Sequence, residues 1–129
     1  MKSAQINKYG GGEVIEINQN TPEPTVSAGK VLVGIKAAGV NPADWKIREG
    51  GLQQLVSLQF PSTLGMDFSG IIKQVGEGAS NSEFKQGDEV YGQAGVINGG
   101  SGAFAEEALA NTKNIAYKPK KLSHVEAAA

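Results

Sequence analysis

The stretch that decides the fold is KVLVGIKAAGVNPADWKIREGG at residues 30–51. Apolar side chains occupy alternate positions from Val31 to Ile35, and this is the period of a β-strand. We therefore predict a strand over residues 30–40. Leu32 lies on the opposite face of that strand, which indicates that both faces are at least partly covered.

The second half of the stretch predicts a short helix. Asn41 suits the N-cap position, and Pro42 suits the first helical position, where no backbone N–H is needed. Asp44 lies in the first turn, where the helix dipole favours a negative charge. We expect the helix to cover residues 43–48 and to end at Gly50.

Turn-forming residues divide the rest of the chain into short strands. Glycine accounts for 18 of the 129 residues, a surplus that is typical of tight turns and bulges in β-rich folds. Further strands are predicted at residues 2–8, 13–17, 67–75, 89–92 and 103–109. The predicted connections are a hairpin turn at 10–12, an extended loop at 21–24, a helical turn at 52–58, a polar loop at 76–82, a flexible connection at 99–102 and an exposed basic linker at 117–121. The expected fold class is mainly β with short helices (α+β).

Composition narrows the class of protein. A chain of 129 residues is long enough for one domain with its own core. It contains no cysteine, which excludes disulfides and thiolate zinc ligands within it. The net charge of −1 argues against nucleic acid as a partner. There is neither an apolar run of membrane-spanning length nor a signal-peptide core, so we predict a soluble, cytoplasmic protein without a membrane partner.

The last residues predict a helix that begins near the end of the chain. Ser123 and Glu126 have the spacing of a capping box, and three alanines follow. His124 is expected to be exposed at the start of this helix. We therefore expect one domain over residues 1–122, with residues 123–129 as the start of a helix that leads to a further domain.

Several ordered motifs connect the chain to a known superfamily. They are KVLV at 30–33, AAGVNPAD at 37–44, REG at 48–50, GMDFSG at 65–70 after Pro61, VG at 75–76, FKQGDEV at 84–90, GAFAE at 102–106 and EAAA at 126–129. In order and spacing they resemble the N-terminal, GroES-like domain of the medium-chain dehydrogenase/reductase superfamily. The resemblance covers nearly the whole chain and is greatest to the zinc-independent quinone oxidoreductase branch.

The resemblance implies a distorted, partly open β-barrel with short helices. The resemblance also implies a downstream Rossmann domain that binds NADPH. The chain itself has no G-x-G-x-x-G that follows a strand and opens a helix, so it lacks this phosphate-binding motif. On this reading NADPH is bound mainly by the missing domain, and the 129-residue chain alone is inactive. Homodimers are common in the family and often use the missing domain.

Three positions distinguish the chain from zinc-dependent relatives. The segments that supply a cysteine, a histidine and a glutamate in zinc alcohol dehydrogenases correspond here to Asn41, Met66 and Asp67. An amide and a thioether are poor zinc ligands, and one carboxylate does not hold the metal. We predict no bound zinc, and therefore reduction of an activated double bond or quinone rather than metal-assisted alcohol oxidation.

Four candidate site residues lie on or next to the predicted helix. By the resemblance, Asn41 faces the nicotinamide and the substrate, and its amide can donate to either; its alternative role is helix capping. Asp44 is the second catalytic candidate, with a first-turn structural role as the alternative. Trp45 is a candidate wall of the substrate cleft or a packing aromatic, and Arg48 is a candidate anion ligand or a solvated helix charge.

The other cleft candidates are Met66, Asp67 and Tyr91. Met66 suits an adaptable apolar wall, and Asp67 suits hydrogen bonding to nearby backbone amides. Tyr91 can donate a phenolic hydrogen bond into the cleft or pack in its strand.

Three functions are consistent with these residues. The leading hypothesis is the N-terminal domain of an NADPH-dependent, zinc-independent oxidoreductase that reduces quinones or other enone and activated carbonyl substrates. The alternative enzyme is an enoyl or alkenal reductase, or a zinc-less alcohol dehydrogenase relative. The non-enzyme alternative is a GroES-like binding module.

Overall fold

The computed structural model of the chain describes residues 1–78 and 84–129. These residues form strands β1 (Ser3–Ile6), β2 (Ile15–Asn18), β3 (Lys30–Ala38), β4 (Ser62–Thr63), β5 (Asp67–Val75), β6 (Glu89–Gln93), β7 (Glu107–Asn111) and β8 (Ile115–Tyr117), and helices α1 (Pro42–Glu49) and α2 (His124–Ala128). Short 3₁₀ helices at Gly12–Val14, Val96–Asn98 and Thr112–Asn114 connect some of them. The predicted polar loop at 76–82 lies partly outside the described residues.

The strands form two antiparallel sheets. One has three strands in the order β2-β1-β4, and the other has five in the order β7-β3-β5-β6-β8. A bridge between Ser3 and Ala105 links β1 to the segment before β7. Within the part of the chain that the structure describes, the sheets do not close into a complete barrel. The predicted mainly β fold with short helices and a partly open barrel is confirmed.

The two longest strands occupy the centre of the larger sheet and carry its core. β3 and β5 are nine residues each, and their inward-facing side chains are buried. The core around them includes Val31, Val33, Phe68, Ile72 and Val90, all with exposure of 1% or less. Burying one such side chain stabilises the fold by about 1.5–3 kcal/mol, so this core fixes the strands that position the site.

Both predicted helix starts are confirmed. Asn41 has extended backbone angles at the N-cap of α1, Pro42 follows it, and Gly50 ends the helix in the left-handed region with φ of 87°. At α2, the Glu126 N–H donates to Ser123 Oγ at 3.1 Å, and the Ser123 N–H donates to the Glu126 carboxylate at 3.0 Å. Neither helix, nor any other in the described residues, is long and apolar enough to cross a bilayer.

Several predicted boundaries are wrong. The strand predicted at 103–109 begins only at Glu107, because the N–H groups of Ala103 and Phe104 donate to the carbonyl oxygens of Gly65 and Leu64 instead of a sheet neighbour. The short strands β4 and β8 were not predicted. Both contain too few residues to show a local period, and their pairing partners lie far away in the sequence.

Two side chains expected to be exposed are not. Lys118, predicted to belong to a solvated linker, has a side chain that is only 6% exposed, and its ammonium donates to the carbonyl oxygens of Pro119 and Leu122. His124, expected to be exposed, is 21% exposed because its ring packs against β5 and β6. The packing of α2 on the larger sheet explains the burial of His124.

Candidate functional site

The ends of two neighbouring strands bring the main candidate residues together. In the antiparallel ladder of β3 and β5, Ala38 lies opposite Phe68. The Gly39 N–H donates to the carbonyl oxygen of Asp67 at 3.0 Å, which extends the contact by one step. The chain then turns into α1, so Asn41 at the start of the helix lies beside Asp67 at the start of β5.

A polar network centres on the carboxylate of Asp67. The side-chain amide of Asn41 donates to its Oδ2, and Nε2 of Gln93 donates to its Oδ1 at 3.1 Å. Gln93 lies opposite Asp67 in the ladder of β5 and β6, so strand register sets its position. Each carboxylate oxygen accepts one amide N–H, and together these bonds fix the orientation of both amide groups.

Sequence reasoning does not single out Gln93. It contacts Asp67 across 26 residues of chain, through the pairing of two strands. Gln93 can be predicted as a partner of Asp67 only if β6 is known to pair with β5 in this register. The local sequence around Gln93 does not indicate that pairing.

Asp44 is the buried member of the site. Its Oδ2 accepts a hydrogen bond from the backbone N–H of Asn41 at 2.8 Å, and its Oδ1 is buried and receives none from the described residues. Burial raises the pKa of Asp44 above its ordinary value of 3.8, and the negative charge of Asp67 raises it further. The backbone N–H of Asn41 and, more weakly, that of Met66 oppose this increase in the pKa.

A groove of about 510 Å³ opens beside Asn41. Residues 37–41 line one side of it, and Val125, Ala128 and Ala129 of the C-terminal segment line the other. Val40 is 81% exposed and Val125 is 74% exposed, so both walls of the groove present apolar surface. The side chain of Asn41 is the single amide among the described residues that line it. Such a groove fits one face of a flat, uncharged ring.

Two candidates on α1 lie away from the groove. Trp45 is half exposed, and the ammonium of Lys46 lies 5.7 Å from the centre of its ring. Arg48 donates from Nε to the carbonyl oxygen of Gly10 at 3.1 Å and pairs with Glu49 at 3.0 Å. Arg48 therefore ties α1 to the glycine-rich turn after β1.

Met66 and Tyr91 also lie outside the residues that line the groove. Met66 packs against the smaller core around Ile6, and its carbonyl oxygen accepts from the Ala94 N–H at 2.8 Å. Tyr91 is half buried in β6, opposite Ser69. A contact between substrate and Trp45, Arg48, Met66 or Tyr91 stays a prediction.

Comparison with known proteins identifies the domain. The alcohol dehydrogenase GroES-like domain family matches residues 27–120, which is most of the chain. The chain belongs to this family. A chloroplast envelope quinone oxidoreductase homolog of Arabidopsis thaliana is 35% identical over all 129 residues, and a 2-methylene-furan-3-one reductase of Solanum lycopersicum is 35% identical over 133 aligned positions.

Solved structures agree with this assignment of the GroES-like domain. The quinone oxidoreductase of Escherichia coli, complexed with NADPH, matches the whole chain with a TM-score of 0.83 and 29% identity. The chain spans 38% of the Arabidopsis relative, 34% of the tomato relative and 36% of the Escherichia coli chain. It therefore corresponds to a little over a third of these proteins.

The donor set of this GroES-like domain does not fit a catalytic zinc ion. Zinc in such sites needs three good ligands from His, Cys, Asp or Glu. Across residues 1–78 and 84–129, no group of three or more such side chains is placed to hold a metal ion. Asn41 and Asp67 are hydrogen-bonded to each other instead.

The groove fits only part of NADPH. Its apolar walls and the Asn41 amide suit the nicotinamide ring, which is flat and carries a carboxamide. Binding the phosphates needs a glycine-rich loop at a helix N-terminus or a group of cations. The sequence has no such loop, and none of the residues that line the groove is a cation. The residues that line the groove therefore offer no binding group for the phosphates of the cofactor.

Proposed function

We propose that the chain is the substrate-side domain of an NADPH-dependent, zinc-independent oxidoreductase that reduces quinones and related activated carbonyl compounds. The observation that carries the proposal is the hydrogen-bonded pair of Asn41 and Asp67 in a domain similar to quinone oxidoreductases. By the sequence resemblance, both positions correspond to zinc ligands of alcohol dehydrogenases. Residues 1–122 form the proposed domain, and residues 123–129 lead to a nucleotide-binding Rossmann domain in the same protein.

NADPH supplies a hydride for transfer to a carbon atom of the substrate. Negative charge then builds on a substrate oxygen, and a donor fixed in advance stabilises it. The Asn41 amide has two N–H bonds, of which Asp67 accepts one. The second N–H is directed by that bond and can donate to the substrate oxygen or to the carboxamide of the cofactor. Asn41 is thus the proposed catalytic residue.

Asp44 and Gln93 are proposed as positioning residues. Asp44 is buried and holds the backbone of Asn41 through a hydrogen bond of 2.8 Å. Gln93 holds the Asp67 carboxylate from the other side at 3.1 Å. Together they keep the amide of Asn41 in one orientation before the substrate binds, which lowers the cost of reorganisation during reaction.

The absence of suitable zinc ligands supports reduction over alcohol oxidation. A Lewis acid lowers the pKa of an alcohol hydroxyl, and without it the oxidation lacks that assistance. A quinone or enone accepts a hydride without prior loss of a proton. The groove beside Asn41 is also mainly apolar, which suits a flat conjugated ring.

A second candidate function is the reduction of an enone. The observation that favours it is the similarity to 2-methylene-furan-3-one reductase, at 35% identity across the whole chain. Both reactions move a hydride to a conjugated system and place negative charge on an oxygen. The cytoplasmic location and the homodimer stay predictions.

Kinetics of a full-length protein that contains this domain test the proposal. We expect reduction of quinones or enones with NADPH and no oxidation of simple alcohols. Asn41→Ala should lower kcat/KM by about 10²-fold, because it removes the proposed donor to the developing oxyanion. Asn20→Ala, at an exposed position in a loop, is the matched control and should leave kcat/KM unchanged.

Three results would contradict this proposal. The first is the absence of NADPH-dependent reduction of any quinone or enone by the full-length protein. The second is an Asn41→Ala variant with the activity of the parent protein. The third is metal analysis that finds one zinc ion per chain.

A further inference from the structure

His124 connects the start of α2 to two strands of the larger sheet. Its Nδ1 lies 2.7 Å from the hydroxyl oxygen of Ser69 on β5, and its Nε2 lies 2.8 Å from a carboxylate oxygen of Glu89 on β6. Both ring nitrogens are therefore within hydrogen-bond distance of a partner on the sheet. The ring is only 21% exposed, so these contacts are partly shielded from water.

The serine of this group cannot act as a nucleophile. Ser69 is completely buried, and its hydroxyl also lies within 3.3 Å of the carbonyl oxygen of Val90, to which it can donate. A serine, a histidine and a carboxylate in a row resemble a hydrolytic site, but no substrate can reach this hydroxyl. The contacts of His124 therefore serve the placement of α2.

The other end of α2 packs against the loop that carries Asn41. Ala127 and Ala128 are buried, and a Cβ atom at Gly39 would collide with the carbonyl oxygen of Ala128. Gly39 lies two residues before Asn41 and donates to the Asp67 carbonyl oxygen at 3.0 Å. A shift of α2 would therefore also move the loop that carries Asn41.

The helix also forms one wall of the groove at Asn41. Val125 and Ala128 line that wall, and residues 37–41 line the opposite one. A helix of five residues is too short to be stable alone, so its place depends on its contacts with the sheet. The contacts of His124 connect the first turn to the sheet, and Ala127 and Ala128 bury the last turn.

We propose that His124 is a positioning residue for the groove: through α2 and Gly39 it fixes the loop that carries Asn41. The predicted effect of His124 on catalysis rests on the proposed function. The predicted effect of His124 on the positions of α2 and the loop is independent of that function. Removal of the imidazole should let α2 shift and should change both the width of the groove and the orientation of the Asn41 amide.

Nuclear magnetic resonance of the 129-residue chain tests the structural part. The side-chain amide signals of Asn41 and the backbone signal of Gly39 should shift in His124→Ala. They should be restored in part by His124→Asn, whose side chain can still reach Ser69. Ser3→Ala is the matched control. It removes a buried hydrogen bond between Ser3, on β1 of the smaller sheet, and Thr21, and it should leave the Asn41 and Gly39 signals in place.

Kinetics of the full-length protein test the catalytic part. His124→Ala should lower kcat/KM by about 10-fold, as expected from a small misplacement of a catalytic group, and Ser3→Ala should not. Asn41 and Gly39 signals that do not move in His124→Ala, or that move equally in Ser3→Ala, would overturn the proposal. Unchanged kcat/KM in an active full-length His124→Ala variant would also overturn it. A full-length protein with no reductase activity would instead contradict the proposed function, while the Asn41 and Gly39 signals would still decide the role of His124.

Discussion

Asp67 is the residue on which the candidate site converges. Its carboxylate accepts from amides on two different elements, Asn41 at the start of α1 and Gln93 on β6. In zinc alcohol dehydrogenases, by the resemblance, the corresponding segment supplies metal ligands, whereas in this chain Asp67 is hydrogen-bonded to Asn41 and Gln93. A carboxylate with two amide donors is satisfied without a metal ion.

Asp44 makes the stability of the domain depend on pH. Because burial raises its pKa above 3.8, the folded state keeps a proton that the unfolded state has already lost just above this pH. The contribution of Asp44 to stability therefore falls as the pH rises through the folded-state pKa, and it stays low above that pKa. We expect the free energy of unfolding of the parent chain, relative to that of Asp44→Asn, to decrease between about pH 3 and neutrality.

Urea denaturation of both proteins at a series of pH values measures this difference. Asparagine keeps one oxygen that can accept from the Asn41 N–H, so the variant isolates the effect of charge from that of helix capping. A difference in unfolding free energy that increases with pH would mean that the folded-state pKa of Asp44 is lowered rather than raised.

At the scale of elements, α2 and the residue that follows β3 are in close backbone contact. Gly39 has no side chain, and the carbonyl oxygen of Ala128 occupies the space that a Cβ atom would need. The obstacle is backbone, which does not move aside as a flexible side chain does. The close approach of the two elements therefore requires glycine at this position.

Gly39→Ala should lower the free energy of unfolding of the 129-residue chain by about 1–3 kcal/mol, because the added methyl group must displace α2 or distort the loop. Gly12→Ala is the matched control, since nothing lies within 4 Å of a Cβ atom there. It should be neutral or slightly stabilising. Urea denaturation measures both changes, and equal stability of the two variants would refute the close contact.

At the scale of the whole molecule, the end of the larger sheet and the C-terminal segment together form the groove. The groove at Asn41 is open, and the residues that line it come from the end of β3, the loop to α1 and the C-terminal segment. The chain spans 38% of its Arabidopsis relative and 36% of the Escherichia coli structure. Under the proposed function, the groups that bind the phosphates of NADPH come from another part of the protein.

The 129-residue chain alone should therefore oxidise NADPH little or not at all in the presence of quinones. Most of the binding energy for the cofactor would be absent, so the nicotinamide would not be held against the substrate. Measurement of NADPH absorbance with the isolated chain and with a full-length protein checks this expectation. Comparable turnover by both would show that the cofactor site is complete within these residues.

The sequence by itself determined the features that depend on neighbouring residues. A few neighbouring residues suffice to predict each of three features: the alternating side chains of β3, the start of α1 at Asn41 and Pro42, and the capping box of α2. All three are confirmed. The order of short motifs also sufficed to identify the family, because spacing between motifs survives in a linear sequence.

Only the tertiary structure decided which side chains meet. The contact of Asp67 with Gln93 spans 26 residues, and that of Ser69 with His124 spans 55. Strand register and helix docking set both contacts, and local periodicity does not specify either of them. The family resemblance predicts Asn41 and Asp67 in one site, whereas the contacts of Gln93 and His124 are seen only in the packed structure.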